Sequence, residues 1–534
     1  MSIQNSKRAI YMPIVLSLVL VAGLIIGINL NKGGEKNSVF IYPRSENKLS
    51  NVLNYIEDEY VDSVDKNELV EVAIPEILRQ LDPHSVYIPA KELQEINDPL
   101  EGNFEGIGVQ FNMPDDTVVV IMTISGGPSE KIGILPGDRI VMIEDSVVAG
   151  KNIRNTDIVK MLKGPKGTIV KVGIKRKGVA ELMDFEITRD KIPLYSVDIA
   201  YMIKDDIGYI KISKFARTTY KEFRQAIKKL NEVGMEKVIL DLRGNGGGYL
   251  DAATNIANEF LEDGKLIVYT KGKARPKRET MSNESGICLE KEVIVLIDEW
   301  SASASEILAG ALQDNDRGII IGRRSFGKGL VQQQTMFKDG SALRLTIARY
   351  YTPTGRSIQK PYEEGEDVYY DDLQQRFENG EFIEKDSIKF NDSLKFYTPK
   401  GNVVYGGGGI MPDIFIPYDT TGQTNYYRDV VHKGLIYRFA FDYADNKRSE
   451  LSNYTDYKSL EKYLNKQRLL NQFIDFAEQK GIEKNSEDIK ESELLLTIQL
   501  KAFIARNILD NEGFYPIIAR DDKTLQKALE VISE

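Results

Sequence analysis

The chain has one cysteine, Cys288, and two histidines, His84 and His432, among its 534 residues. A single cysteine excludes an internal disulfide and any cysteine-rich metal site. It reads instead as a small, at least half-buried residue at a strand edge before Val293. Two histidines so far apart leave no zinc-type ligand cluster and no HExxH motif. EF-hand spacing is also missing, so carboxylate runs such as 363–372 read as solvated loops rather than calcium sites. Neither G-x-G-x-x-G nor G-x-x-x-x-G-K-[ST] occurs, which disfavours a phosphate- or nucleotide-using enzyme. Positive charge is in short supply. The net charge of −10 leaves no basic face for non-specific nucleic-acid binding. No cofactor is expected.

What is present begins with an apolar stretch. Ala9 to Ile28 are twenty consecutive uncharged residues, the length that spans a bilayer. The stretch is longer than a signal h-region and no A-x-A site follows, so an uncleaved anchor is expected rather than a cleaved signal peptide. Lys7 and Arg8 precede it, which predicts a cytoplasmic N-terminus and a body outside the membrane. No cysteine follows to carry a lipid. The remaining composition, 42% hydrophobic and 28% charged, is that of a globular protein with room for three or more domains.

Helical periodicity appears in two pieces between Ser45 and Leu81, before the turn LDPHSVYIP. Short strands with turn signals fill 102–177, with a short helix over Thr156–Leu162. From Ile207 strands and helices alternate, which implies a mostly parallel sheet with helices on its faces. A glycine run, Gly244-Asn245-Gly246-Gly247-Gly248, follows the strand Lys237 to Leu242. Glycines at a strand's carboxyl end suit an active site there.

The most informative stretch is Glu299 to Gln334, EWSASASEILAGALQDNDRGIIIGRRSFGKGLVQQQ. It reads as strand end, turn, helix, turn, strand and glycine loop. Ser303-Ala304-Ser305-Glu306 fits a capping box, with serine at the N-cap and glutamate three residues on. The same serine at a strand-to-helix turn can also be a nucleophile, with free N–H groups at the helix start to stabilise an oxyanion. A nucleophilic serine needs a base. Lys328, between two glycines after the next strand, qualifies if its surroundings hold it neutral. Arg323 and Arg324 would add a like-charge push only if turned inward, and are expected to be solvent-exposed.

SASASE, FGKGLVQ, DLRGNGGG (241–248), LTIARYYTPTGRSIQ (345–359) and LDPHSVYIP (81–89), long motifs that fall in the right order along the chain, resemble the C-terminal processing peptidases. These are tail-specific serine proteases with a Ser–Lys dyad. The resemblance covers roughly residues 45–420. It implies Ser303 as nucleophile, Lys328 as general base, and Gln332, one helical or loop turn on, orienting the amine. It also implies an oxyanion hole from the glycine loop. Position 246 is often proline in that family and then has no N–H. That points to Gly247 or Gly248, with Ala304 as second donor. His84 is expected to be a turn residue.

FEGIGVQF with ISGGPSEKIGILPGDRI resembles a PDZ domain, which binds a chain end by strand addition and holds its carboxylate on backbone N–H groups. The implied donors are Ile107, Gly108 and Val109.

The expected architecture is mixed α/β and β, multidomain, with a PDZ domain inserted before an α/β serine-protease core. Its segments are 1–38 (cytoplasmic stub, anchor and linker), 39–100 (N-terminal helices), 101–180 (PDZ), 181–420 (protease core) and 421–534 (a mostly helical extension). The extension is left three roles: packing on the core, a homo-oligomer contact, or restraint of the PDZ domain. Expected partners are protein substrates with exposed C-terminal tails, and the membrane. The alternative is a non-catalytic PDZ scaffold or ligand-binding relative of the same fold. An intact Ser303, Lys328 and Gln332 argue against it, because a binding protein has no chemical need for all three.

Overall fold

The computed structural model describes Ser17, Val21, residues 47–389 and residues 391–534. Apart from Ser17 and Val21, the expected span at 9–28 lies outside the described residues. Among the described residues no helix is long and apolar enough to cross a membrane. The chain forms two compact units that divide between Glu76 and Ile77. In the first, the two helical pieces appear as Lys48–Glu59 and Lys66–Arg79, the latter running past the division. The Asn47 side chain caps the first helix by accepting from the N–H groups of Leu49 and Ser50.

The second unit is built on a six-stranded sheet: β1 (Val197–Met202), β2 (Ile207–Ile212), β3 (Lys237–Asp241), β4 (Glu292–Ile297), β5 (Ile319–Gly322) and β6 (Ile414–Phe415). The strands lie side by side in chain order. β1 is antiparallel to β2, and every later pair is parallel. Helices α1 (Thr219–Glu232), α2 (Leu250–Asn258) and α3 (Ala304–Asp314) make the connections. The strands bury alternate residues on opposite faces, the period-2 signature of a sheet. Val238, Leu240, Val293 and Val295 pack with Phe223, Ile256 and Leu308 of α1 to α3. Ile239, Ile294, Leu296 and Ile321 pack on the other face with Leu525, Ala528 and Ile532 of helix α4 (Lys523–Ser533). A parallel sheet needs both faces covered, and it has both.

A second sheet joins Val86–Ile88, Leu266–Lys271, Arg278–Met281, Leu330–Met336 and Ala342–Tyr351. The PDZ region forms an antiparallel sheet around Val118, Val120, Ile140, Val172 and Ile174. The expected break at 180 falls between Ile169–Lys175 and Met183–Thr188, which pair with each other, so this sheet runs on to Thr188. The extension is a helical bundle with its own core, centred on Phe439, Phe473 and Leu500. It meets the PDZ region through Arg139–Asp445 at 2.8 Å and through Arg438–Asp115. Against the protease core, the Tyr515 hydroxyl donates to Asp198 Oδ2 at 2.8 Å.

The carboxylate run expected as a loop is corrected. From Glu366 it forms a helix, Glu366–Glu378, whose first turn carries Glu366 and Asp367 where the helix dipole favours acids. Asp372 accepts from Lys360 Nζ at 2.9 Å. Cys288 is fully buried, and burial pushes its thiol up to about 12.

Candidate active site

The loops after β3, β4 and β5 leave the carboxyl ends of three adjacent parallel strands, so they meet at one edge of the sheet. Ser303 stands on the β4 loop, just before α3. Its backbone lies at φ 54°, ψ −111°, a conformation that an L-residue adopts only under strain, at a cost of about 1–3 kcal/mol. The surrounding bonds hold it there. The Ser301 hydroxyl donates to Leu242 O at 2.9 Å, Ala302 N–H donates to Asn245 O at 3.0 Å, and the Ser305 hydroxyl donates to Asn245 O at 2.8 Å.

The glycine loop lies against this turn. A Cβ on Gly247 would come within 2.8 Å of Ser303 Cβ, and one on Gly248 within 2.1 Å of Phe215 O. Their φ values are 101° and 143°. Only glycine satisfies both demands. Of the two expected donors, Gly247 already gives its N–H to Asn245 Oδ1 at 2.9 Å. The N–H groups of Gly248 and of Ala304, the first residue of α3, have no hydrogen-bond acceptor among the described residues.

Glu306 welds the nucleophile turn to the lysine loop. Its buried carboxylate accepts from Ser303 N–H (2.8 Å), Lys328 N–H (2.9 Å), Gly327 N–H (2.7 Å) and the Ser325 hydroxyl (2.5 Å). The first of these is the carboxylate half of the capping box. Burial pushes the Glu306 carboxyl up to about 7, although these four bonds oppose the shift. Tyr350 adds a second tie, its hydroxyl lying 3.2 Å from Ser303 O and 2.6 Å from Lys328 O.

Burial, then the Arg344 guanidinium, hold the Lys328 amine below the usual lysine range; Asp82 and Glu306 pull the other way. The expected roles of Arg323 and Arg324 are corrected. Neither is exposed and neither supplies the push. They are paired with Glu299 at 2.7 Å and Glu381 at 2.6 Å. Lys328 Nζ lies 3.5 Å from Gln332 Oε1, and Gln332 Nε2 donates to His84 O at 2.5 Å. Gln332 sits on a strand, Leu330–Met336, rather than on a helical or loop turn, with an irregularity in register between Val331 and Gln332. Bulges of this kind re-aim a side chain next to active sites. His84 is a turn residue as expected, its N–H donating to Asp82 Oδ1 at 2.9 Å. It also borders the lysine: burial and then the Lys328 charge push its imidazole down to about 3.

Ser303, Lys328, Gln332, Gly247 and Gly248 line one cavity of about 650 Å³, with Arg344 and Tyr350. No hydrogen bond joins Lys328 Nζ to Ser303 Oγ in this structure; such bonds commonly tighten only with substrate. Among the described residues no group of three or more His, Cys, Asp or Glu is placed to hold a metal ion.

The PDZ positions form a separate feature. Ile107 O accepts from the N–H and hydroxyl of Ser129 (3.1 and 2.6 Å), and Gly108, at φ 74°, accepts through its O from Ile124 N–H at 2.9 Å. The N–H groups of Ile107 and Gly108 have no acceptor among the described residues, although both residues are buried. Val109 begins a strand paired with Val118–Thr123. Successive unpaired N–H groups at such a turn suit an anion.

Sequence reasoning missed the hub role of Glu306, the tie through Tyr350 and the push from Arg344. The only signal for Glu306 was its place three residues after Ser303, which capping explains equally well.

Family descriptions match the chain in four stretches: Peptidase family S41 at 206–366, PDZ domain at 106–187, the activating protease CtpB N-terminal domain at 29–92, and a family of unknown function at 426–510. The chain is similar to a carboxy-terminal-processing protease of Bartonella bacilliformis, at 38% identity over 58% of this chain and 72% of that one. It is 36% identical to the carboxy-terminal processing protease CtpA of Bacillus subtilis, over 59% of this chain and 66% of that one. To CtpB of the same organism it is 34% identical, over 64% and 72%. The strained serine and half-buried lysine thus lie within a stretch matched as peptidase, behind a stretch matched as PDZ, and the chain belongs to the S41 carboxy-terminal processing proteases, peptidases of the serine type.

Proposed function

We propose that the protein is an endopeptidase that selects protein substrates by their C-terminal tails and cuts them through a Ser303–Lys328 dyad. The observation that carries this reading is the lysine itself. Its amine is held toward neutrality by burial, and its backbone is fixed through Glu306 to the turn that strains Ser303. In the proposed cycle the neutral amine takes the Ser303 Oγ proton as the oxygen attacks the scissile carbonyl. The N–H groups of Gly248 and Ala304, with Gly247 packed beside them, stabilise the oxyanion. The lysine returns its proton to the leaving amine as the C–N bond breaks. Water, deprotonated by the same amine, then releases the acyl group from Ser303. Gln332 positions the amine. Ile107, Gly108 and Val109 receive the substrate's terminal carboxylate. Anchoring by residues 9–28, with the body outside the cytoplasmic membrane, is part of the same reading.

The test is hydrolysis of an unfolded protein by the wild type beside Ser303→Ala and Lys328→Arg. Both variants should remain folded and lose activity, because a guanidinium does not deprotonate in the working range. Activity retained in Lys328→Arg would place the proton acceptor elsewhere.

A further inference from the structure

Arg243 stands at the base of the glycine loop, immediately before Gly244. Its side chain enters a half-buried charge cluster around the buried Asp241. Arg243 Nη2 donates to Asp241 Oδ2 at 2.5 Å, and Lys211 Nζ donates to Asp241 Oδ1 at 3.1 Å and also to the Arg243 carbonyl. Asp241 further accepts from the Tyr209 hydroxyl at 2.7 Å. Within the sheet this cluster holds two cations and one carboxylate. The second carboxylate comes from far along the chain. Asp522 takes the guanidinium with both oxygens, Nη1 to Oδ1 at 2.9 Å and Nη2 to Oδ2 at 2.6 Å.

Asp522 is also the N-cap of α4, its side chain accepting from Leu525 N–H at 3.0 Å. The other end of α4 is held as well, by Lys237 Nζ donating to Ile532 O at 2.6 Å. Between these ends Leu525, Ala528 and Ile532 are buried against the sheet. With α4 seated in this way, its N-cap brings Asp522 onto Arg243. It lies outside the stretches that the family descriptions match.

We propose that Asp522 is a positioning residue for the peptidase reaction: by neutralising Arg243 it holds the glycine loop against Ser303, so that the segment capping α4 braces the active site from outside it. The inference rests on the proposed role of that loop as oxyanion donor. Without Asp522 the cluster holds two cations, Arg243 and Lys211, against the single buried carboxylate of Asp241, an excess of charge that distorts or loosens its surroundings. The residues that would move are those whose N–H groups face the reacting carbonyl, where small displacements cost about 10- to 100-fold in rate.

Asp522→Asn separates charge from capping, because asparagine caps a helix as well as aspartate does. In the full-length protein, this variant should still melt cooperatively. Its kcat on dye-labelled unfolded casein should fall about 10- to 100-fold with KM changed less than about twofold. Hydrogen exchange across 243–249 should quicken by at least about tenfold. Asp522→Glu should recover part of kcat. Lys523→Ala, which removes the Lys523 bonds to Asp419 and Thr421 at the start of the same helix, should leave both readouts unchanged. Unchanged exchange in Asp522→Asn would overturn the brace, and faster exchange with unchanged kcat would overturn its catalytic consequence. If wild type and Ser303→Ala hydrolyse casein equally, the peptidase reading fails instead, and exchange at 243–249 still upholds or overturns the brace.

Discussion

Lys328 pays for its chemistry in stability. A lysine held below its ordinary value binds fewer protons folded than unfolded at any pH between the lowered value and about 10.4. In that window stability rises with pH, and activity rises on the same limb as the amine loses its proton. Lys328→Met should therefore be inactive yet melt higher than wild type at pH 7, with the gap closing toward pH 10. Equal melting at pH 7 would mean that the folded site bears no cost for this charge. Arg344 supplies the like-charge push. Arg344→Gln should move the pH–rate limb to higher pH and lower kcat at pH 7, whereas a limb that stays put would remove Arg344 from the account. Glu306 behaves oppositely. Its folded value of about 7 lies above the usual 4.5, so it contributes stability that is present below the lower value and lost as pH rises through the upper. Ser303 and Lys328 were legible in the sequence because each sits in a distinctive local motif. Arg344 was not, because its nearness to Lys328 arises from the pairing of Leu330–Met336 with Ala342–Tyr351, which places Gln334 opposite Arg344.

At the scale of elements, the βα alternation was readable from apolar runs separated by glycines, and it correctly implied a parallel sheet with helices on its faces. The strand that carries Gln332 was not readable. QQQ has no apolar alternation, and its extended form comes from pairing with Ala342–Tyr351. The glycine loop was legible as functional, but the division of labour within it depends on Asn245, whose side chain takes the Gly247 N–H. Gly248→Ala tests that loop as an element. Its new Cβ would fall 2.1 Å from Phe215 O, so the loop must leave its seat. The variant should lose at least about 100-fold in kcat, the scale of one oxyanion donor. Near-normal kcat would show that the hole is built from other N–H groups.

For the whole molecule, the helical extension packs on the core, one of the roles left to it by the sequence, and it touches the PDZ region. Its charged surface and helical period could not reveal either, since both depend on pairs hundreds of residues apart. Asp445, mostly buried, receives Arg139 of the PDZ region. Asp445→Ala should loosen that region, leaving only the exposed Arg438–Asp115 pair of the two described. Cleavage of substrates with a free C-terminal carboxylate should then fall about three- to tenfold in kcat/KM, as preorganisation is lost, with short-peptide cleavage within about twofold of wild type. Equal losses on both substrates would assign the pair to general stability. Amidating the substrate's C-terminus should produce the same selective loss in the wild type.

The Arg243–Asp522 pair also sets a clock. Its partners are 279 residues apart in sequence, and Ser303 and Lys328 lie between them. A ribosome adding about 5–20 residues per second would finish the serine and lysine well before the aspartate, and the interval from Arg243 to Asp522 is roughly 15 to 60 seconds. For the part of that interval between Lys328 and Asp522, 194 residues or roughly 10 to 40 seconds, the nascent chain holds its nucleophile and lysine beside a loop whose Arg243 lacks its second carboxylate. A newly made molecule would thus be kept from cutting its neighbours until the segment that seats α4 has emerged.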